Sequence, residues 1–215
     1  MFVFQVPLQF VFCNGMGNQQ TNTEPAAGLE GYERTEVTID AGKAQLQAIL
    51  YALPLLVLLG GAYFLLWGAS LGHIIDSFNI FGFIGGGLLV ILLGIIAHEL
   101  IHGITWAIYA RSGFRSIRFG VMWAYLTPYC HCKEPLRLKH YITGALMPAI
   151  ILGVVPCVVA LINGSAAWLS VGLFFILAAG GDFMIVNLLR KKPMDSLVQD
   201  HSDKLGCYVY QVQTP

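Results

Sequence analysis

The chain has 215 residues, of which 56% are hydrophobic and only 11% are charged, and its mean hydropathy is +0.68. Soluble domains carry about 25% charged residues, so this composition excludes a water-soluble monomer and a disordered chain. Twelve basic residues balance twelve acidic ones, which leaves no net positive charge to meet phosphate and argues against a nucleic-acid partner. The sequence therefore predicts an integral membrane protein, with the lipid bilayer as a partner.

The N-terminal segment carries no functional motif. Met1–Cys13 is apolar, but it is too short to cross a bilayer and lacks the basic start of a signal peptide. We therefore expect residues 1–33 to form a loosely ordered leader. Residues 34–212 are expected to fold as a single membrane-embedded domain.

Three long stretches without Asp, Glu, Lys, Arg or His indicate where the chain crosses the membrane. They comprise 29 residues after Lys43, 21 after Asp76 and 41 after His140. A helix needs about 20 apolar residues to cross the hydrocarbon core, so these stretches hold one, one and two spans. The cluster Asn163-Gly164-Ser165 divides the longest stretch. The prediction is an all-α integral membrane fold, a bundle of four transmembrane helices at about 46–67, 81–110, 141–162 and 166–189.

The lysine and arginine residues predict the orientation of these spans. Two precede the first span, six lie between the second and third, and four follow the fourth, whereas segments 68–80 and 163–165 contain none. Segments rich in Lys and Arg remain on the cytoplasmic side. We therefore expect a protein of the cell (plasma) membrane whose N-terminus, 111–140 segment and C-terminus are cytoplasmic.

Short strands are expected on the cytoplasmic side. Thr35–Asp40, parts of Ser116–Trp123 and Cys207–Val212 alternate between polar and apolar residues. This period of two, with β-branched and aromatic side chains, is typical of strands. The sequence predicts a small cytoplasmic β element.

The second predicted span contains the HExxH motif His98-Glu99-Leu100-Ile101-His102. Residues four apart lie on one face of a helix, so both imidazoles can bind one ion, and such a pair with an open position suits Zn²⁺. The ion lowers the pKa of water from 15.7 towards about 7, and Glu99 can accept the proton as general base. The motif therefore predicts one Zn²⁺ bound by His98 and His102, with Glu99 as the catalytic residue.

The five cysteines are an odd number, and most of them fall on the reducing side of the predicted topology, so disulfides are not expected. Cys130-His131-Cys132 could bind a metal. However, its cysteines are separated by one residue rather than by two to four, and no second pair follows. An ordinary loop is the favoured interpretation of this segment.

A tetrahedral site needs a third protein ligand, and Asp182 is the remaining Asp, Glu or His inside a predicted span. His102 lies nine residues before Arg111 and Asp182 lies eight before Arg190, so at about 1.5 Å per residue the two reach the same depth. An aspartate that bonds a neighbouring helix is the alternative interpretation. Five other polar residues would have to reach the ion from cytoplasmic segments: Glu134, His131, His140, Asp200 and His201.

Several segments of the chain together resemble a known family. They are AHELIHG at 97–103, TPYCHCKEPL at 127–136, GALMP at 144–148, AGGD at 179–182 and DHSDKLGCYVY at 200–210. With them the chain resembles the putative zincin peptidases, small integral membrane proteins, over roughly residues 32–212. More distantly it is similar to the site-2 proteases, which place HExxH in one transmembrane helix and an aspartate in a later one. Those enzymes carry Leu-Asp-Gly where this chain has Gly181-Asp182-Phe183.

The resemblance implies a zinc metallopeptidase that hydrolyses peptide bonds within or beside membrane segments. Its partners would be a protein or peptide substrate, which can be a transmembrane segment, and the 111–140 segment is a reasonable route of entry. Two other classes remain open: a non-catalytic membrane protein that binds a metal or a partner, and a small metal transporter. A polar cluster that holds helices together would need no ion, although burying two histidines and a glutamate in hydrocarbon is costly without one.

Overall fold

The computed structural model describes residues 23–25, 29–38, 41–68, 86–122, 127–201 and 206–212. Its helices surround the metal-ligand candidates, and its strands lie beyond the helix ends. The helices are α1 Ala41–Trp67, α2 Leu88–Tyr109, a 3₁₀ turn Gly113–Ser116, α3 Leu138–Pro148, a π-helical segment Ala149–Val154, α4 Val155–Asn163, α5 Ala166–Ala178 and α6 Gly180–Leu189. The strands are β1 Thr23–Pro25, β2 Tyr32–Thr38, β3 Ile117–Met122, β4 Thr127–Cys132, β5 Leu136–Arg137, β6 Leu197–Asp200 and β7 Gly206–Val212.

Three helical stretches are long and apolar enough to cross a membrane, judged by length and composition alone: Leu46–Trp67, Leu88–Tyr109 and Leu138–Asn163. They coincide with the first three predicted spans, except that residues 81–85 lie outside the described part of the chain. The third stretch is continuous through the π-helical segment that follows Pro148. The fold is thus mostly helical, as predicted.

The fourth predicted span, 166–189, is not one helix. It consists of α5 and α6, which are bent by 45° at Ala179. Glycine is a poor helix former, and two glycines open α6. A Cβ built on Gly180 would lie 2.6 Å from the Ala48 carbonyl oxygen of α1. The absence of a side chain at Gly180 therefore lets the backbones of α1 and α6 lie in close contact at the bend.

The strands form two sheets, whereas the sequence predicted a single β element. Five strands form an antiparallel sheet in the order β1-β2-β7-β6-β5, and β3 and β4 form a separate hairpin. In the larger sheet Val37 pairs with Cys207, and Val198 pairs with Val209. All four side chains are buried. Two predicted strands, in Thr35–Asp40 and Cys207–Val212, thus became partners within one sheet.

Part of the predicted leader belongs to this sheet. Thr23–Pro25 forms β1, and β2 begins at Tyr32. Residues 1–22 lie outside the described part of the chain, so the loose order expected of them stays a prediction.

The core connects the larger sheet to the helices. Its buried members come from strands and helices alike, and Leu138 and Leu189 are fully buried next to the strand residues. A second apolar cluster lies among the helices and includes Ala52, Cys157 and Ile176. The first cluster holds α2, α3 and α6 together around the metal-ligand candidates, and the second packs α1, α4 and α5 against one another.

Candidate metal centre

Three side chains from two helices converge on one point. His98 Nε2 lies 3.2 Å from His102 Nε2 and 3.3 Å from Asp182 Oδ2. His102 Nε2 lies 3.4 Å from Asp182 Oδ1. Zinc bonds of about 2.0–2.1 Å in a tetrahedron separate neighbouring ligand atoms by about 3.3 Å. The two imidazole nitrogens and the Asp182 carboxylate therefore have the spacing of three ligands at a zinc site, which leaves a fourth position open.

Local structure explains why these side chains meet. The HExxH motif lies in α2, where residues four apart share a face, and both histidines are buried, with exposed fractions of 8% and 5%. Asp182 lies in the first turn of α6, directly after the bend at Ala179. The equal depths expected from the sequence are thus matched by direct contact between the two helices' side chains.

The hydrogen bond of His102 determines which of its ring nitrogens faces the cluster. Its Nδ1 lies 2.9 Å from the Gly144 carbonyl oxygen of α3, so Nδ1 carries a proton. In the neutral imidazole, Nε2 then has a lone pair. That lone pair faces a carboxylate oxygen and a second imidazole nitrogen, and such electron-rich atoms repel one another unless a proton or a metal cation lies between them. The residues present therefore fit Zn²⁺.

Glu99 lies beside the cluster and not in it. Its carboxylate accepts a hydrogen bond from the backbone N–H of Cys130 in β4. The β3–β4 hairpin packs on α2, where a Cβ on Gly103 would collide with Phe119 of β3. The hairpin thus orients the side chain predicted to be the catalytic base.

The His102 ring belongs to a stack of three aromatic rings. The ring centroids of His102 and Trp106 lie 5.0 Å apart, and those of Trp106 and Tyr141 lie 5.3 Å apart, each pair at 17°. Trp106 Nε1 donates to the Tyr141 carbonyl oxygen at 3.1 Å. The Tyr141 hydroxyl donates to Asp200 Oδ1 at 2.5 Å. A metal ligand is thereby linked to the larger sheet.

The five rival ligands lie elsewhere in the structure. Glu134 accepts the Ser112 backbone N–H at 3.3 Å, and His140 stacks on Tyr109 with centroids 4.0 Å apart. Asp200 accepts the Cys132 N–H at 2.8 Å, and His201 pairs with Glu36. His131 is part of β4. Within the described part of the chain, only His98, His102 and Asp182 form a group of three or more candidate ligands.

The two cysteines of the hairpin are free thiols. Burial raises the pKa of Cys132 to about 11, and it raises the pKa of Cys130 as well. Among the described residues, neither cysteine belongs to a group of three or more candidate ligands.

Sequence reasoning considered Asp200 only as a rival ligand, and it did not identify Tyr141 as a neighbour of the site. A signal existed for Gly144, because the proline of the GALMP segment stands four residues after it. No comparable signal marks Tyr141 and Asp200, which meet only through tertiary contacts.

Comparison with known proteins agrees with this geometry. The profile of a family described as "Putative zincin peptidase" matches residues 91–197, which is 107 of the 215 residues and includes His98, His102 and Asp182. The resemblance inferred from the sequence motifs is thereby confirmed. No curated protein and no solved structure matches the chain significantly, and similarity to the site-2 proteases stays a prediction.

Proposed function

Since residues 91–197 match the putative zincin peptidase family, we propose that this chain is a zinc-dependent, membrane-embedded metallopeptidase. The observation that carries this proposal is the convergence of His98, His102 and Asp182 within 3.2–3.4 Å of one another. Two imidazoles and a carboxylate with an open corner are the ligand set of hydrolytic zinc sites.

In this proposal His98, His102 and Asp182 hold one Zn²⁺, and Glu99 is the general base. When bound, zinc acts as a Lewis acid that makes water a better nucleophile near neutral pH. Glu99 takes the proton and delivers it to the amine that leaves when the peptide bond breaks. The Cys130 N–H restricts the rotation of the Glu99 carboxylate, so the base is held ready for this transfer.

The helices support a location in the membrane. Apolar side chains project outward from three of them, with exposed fractions of 84% for Leu65, 71% for Ile108 and 75% for Ile162. Such exposure is typical of a lipid-facing surface. We propose four spans, with α5 and α6 as one broken span, in the plasma membrane with both termini in the cytoplasm. The substrate would be a protein or peptide, including a transmembrane segment, and the β3–β4 hairpin lies where it would enter.

Metal analysis and peptide hydrolysis on the detergent-purified full chain test the proposal. We expect one zinc per chain, lost in His98→Ala and Asp182→Ala and retained in the matched control His140→Ala. Fluorescein-labelled casein and a fluorogenic peptide library serve as substrate probes. Glu99→Gln should retain zinc and lose hydrolysis.

The outcomes separate the two classes of function. Zinc binding without hydrolysis of any probe would favour a non-catalytic membrane metal-binding or interaction protein. Retention of zinc by Asp182→Ala would move the third ligand to another residue. Absence of zinc from carefully prepared chain would contradict the proposal.

A further inference from the structure

Pro148 lies four residues after Gly144 in α3. In an α-helix the N–H of residue i+4 donates to the carbonyl of residue i, but proline has no N–H. The next amide, that of Ala149, bonds to the Leu146 carbonyl. Neither of these backbone groups therefore bonds to the Gly144 carbonyl.

The Gly144 carbonyl instead accepts the Nδ1–H of His102 at 2.9 Å. The approach of the two helices is close here, because a Cβ on Gly144 would overlap the Trp106 side chain, which stacks on His102. The missing side chain at 144 and the missing amide at 148 act together. They bring a free backbone acceptor against the imidazole of a candidate zinc ligand.

This bond decides which nitrogen of His102 can bind an ion. With its proton held on Nδ1, the ring presents the Nε2 lone pair to His98 and Asp182. Groups that bond the second nitrogen of a metal-binding histidine fix its tautomer and orientation, and their loss typically costs about 10- to 100-fold in metal affinity. The supply of a free acceptor at Gly144 is thus part of building the site.

We propose that Pro148 is a positioning residue of the metal centre: by lacking an amide proton, it leaves the Gly144 carbonyl to hold His102 in its zinc-binding tautomer. The inference rests on the proposed zinc site. It explains why proline stands within a helix, where it ordinarily destabilises. It also assigns a role to the last residue of the GALMP segment.

Zinc affinity measures this role. Pro148→Ala restores an amide that can bond the Gly144 carbonyl and compete with His102. We expect the affinity for Zn²⁺, measured by competition with a chromophoric chelator on the purified full chain, to fall by about 10- to 100-fold. The matched control is Pro156→Ala, eight residues further along the same helical stretch and also buried, which should retain full affinity.

The unfolding temperature of the metal-free chain separates positioning from support of the fold. Alanine is a better helix former than proline, so Pro148→Ala should unfold at the same or a higher temperature while binding zinc more weakly. A purely structural proline would lower both quantities together. Pro148→Gly, which restores the amide without favouring the helix, should show the same loss of affinity.

Unchanged zinc affinity in both Pro148 variants would overturn the inference and leave the zinc site standing. An equal loss in Pro156→Ala, or variants that no longer fold without metal, would also overturn it. If the unsubstituted chain bound no zinc, the proposed function would fail, and this inference with it.

Discussion

The Tyr141 hydroxyl lies 2.5 Å from Asp200 Oδ1, and this hydrogen bond joins the start of α3 to the end of β6. The other carboxylate oxygen accepts the Cys132 N–H at 2.8 Å. Cys130 and Cys132 are two residues apart in β4, so their N–H groups point to the same edge of the strand. The Cys130 N–H bonds to Glu99, and Asp200 therefore fixes the strand that orients the proposed base.

Tyr141→Phe should destabilise the chain. It leaves one oxygen of a buried carboxylate without its O–H donor, and a hydrogen bond to a charged group contributes about 1.5–3 kcal/mol. Burial raises the pKa of Asp200, so the loss should grow as the pH rises through that pKa and the carboxylate ionises. Chemical unfolding of the solubilised chain measures it. The control Tyr51→Phe removes a hydroxyl that accepts a bond from Asn187 near the surface and should cost less than about 1 kcal/mol; equal losses would contradict this reasoning.

Two adjacent glycines should respond in opposite directions to alanine. In Gly180→Ala the new methyl group meets the Ala48 carbonyl oxygen at 2.6 Å, so α1 and α6 must separate at a cost of about 1–3 kcal/mol. At Gly181 a Cβ meets nothing within 4 Å, so Gly181→Ala should stabilise the helix by about 0.5–1 kcal/mol. Thermal unfolding of the two metal-free variants compares them directly. Similar shifts of the unfolding temperature in both variants would show that the close contact between α1 and α6 does not contribute to stability.

Alkaline pH should weaken the fold through Cys132. Burial raises the pKa of this thiol from 9.0 to about 11, so between these values the folded chain holds a proton that the unfolded chain releases. The free energy of unfolding should therefore fall as the pH rises through this window, by up to about 1.4 kcal/mol per pH unit. Denaturant unfolding at pH 8, 9, 10 and 11 measures the slope. Cys132→Ala should reduce the slope without abolishing it, because burial also raises the pKa values of Cys130 and Cys207; an unchanged slope would assign the effect to those groups.

The features that the sequence predicted depend on neighbours along the chain. Apolar length located Leu46–Trp67, Leu88–Tyr109 and Leu138–Asn163, because crossing a membrane requires an uninterrupted run of about 20 residues. Helical spacing paired His98 with His102. Asp182 could also be predicted as the third ligand, since its depth in the membrane can be counted in residues from the end of its span. Each inference needed only periodicity or distance along one element.

The features that were not predicted depend on contacts between distant elements. The bend at Ala179 coincides with glycines, but its position reflects the approach of α6 to Ala48. The separation of β3 and β4 from the larger sheet follows from packing of the hairpin on α2, which alternation along a strand cannot reveal. The bond from Tyr141 to Asp200 joins residues 59 apart in sequence, and no local pattern marks such a pair.

The strand pairings also constrain how many times the chain can cross a bilayer. Because β2 pairs with β7, β7 with β6 and β6 with β5, all four strands must lie on one side of any bilayer that the chain crosses. The chain must therefore cross an even number of times between Thr38 and Leu136, and again between Arg137 and Leu197. If Leu138–Asn163 crosses once, α5 and α6 together must return the chain to its starting side. The even number of crossings then requires α5 and α6 to form one full crossing, whatever the positions of the lysine and arginine residues.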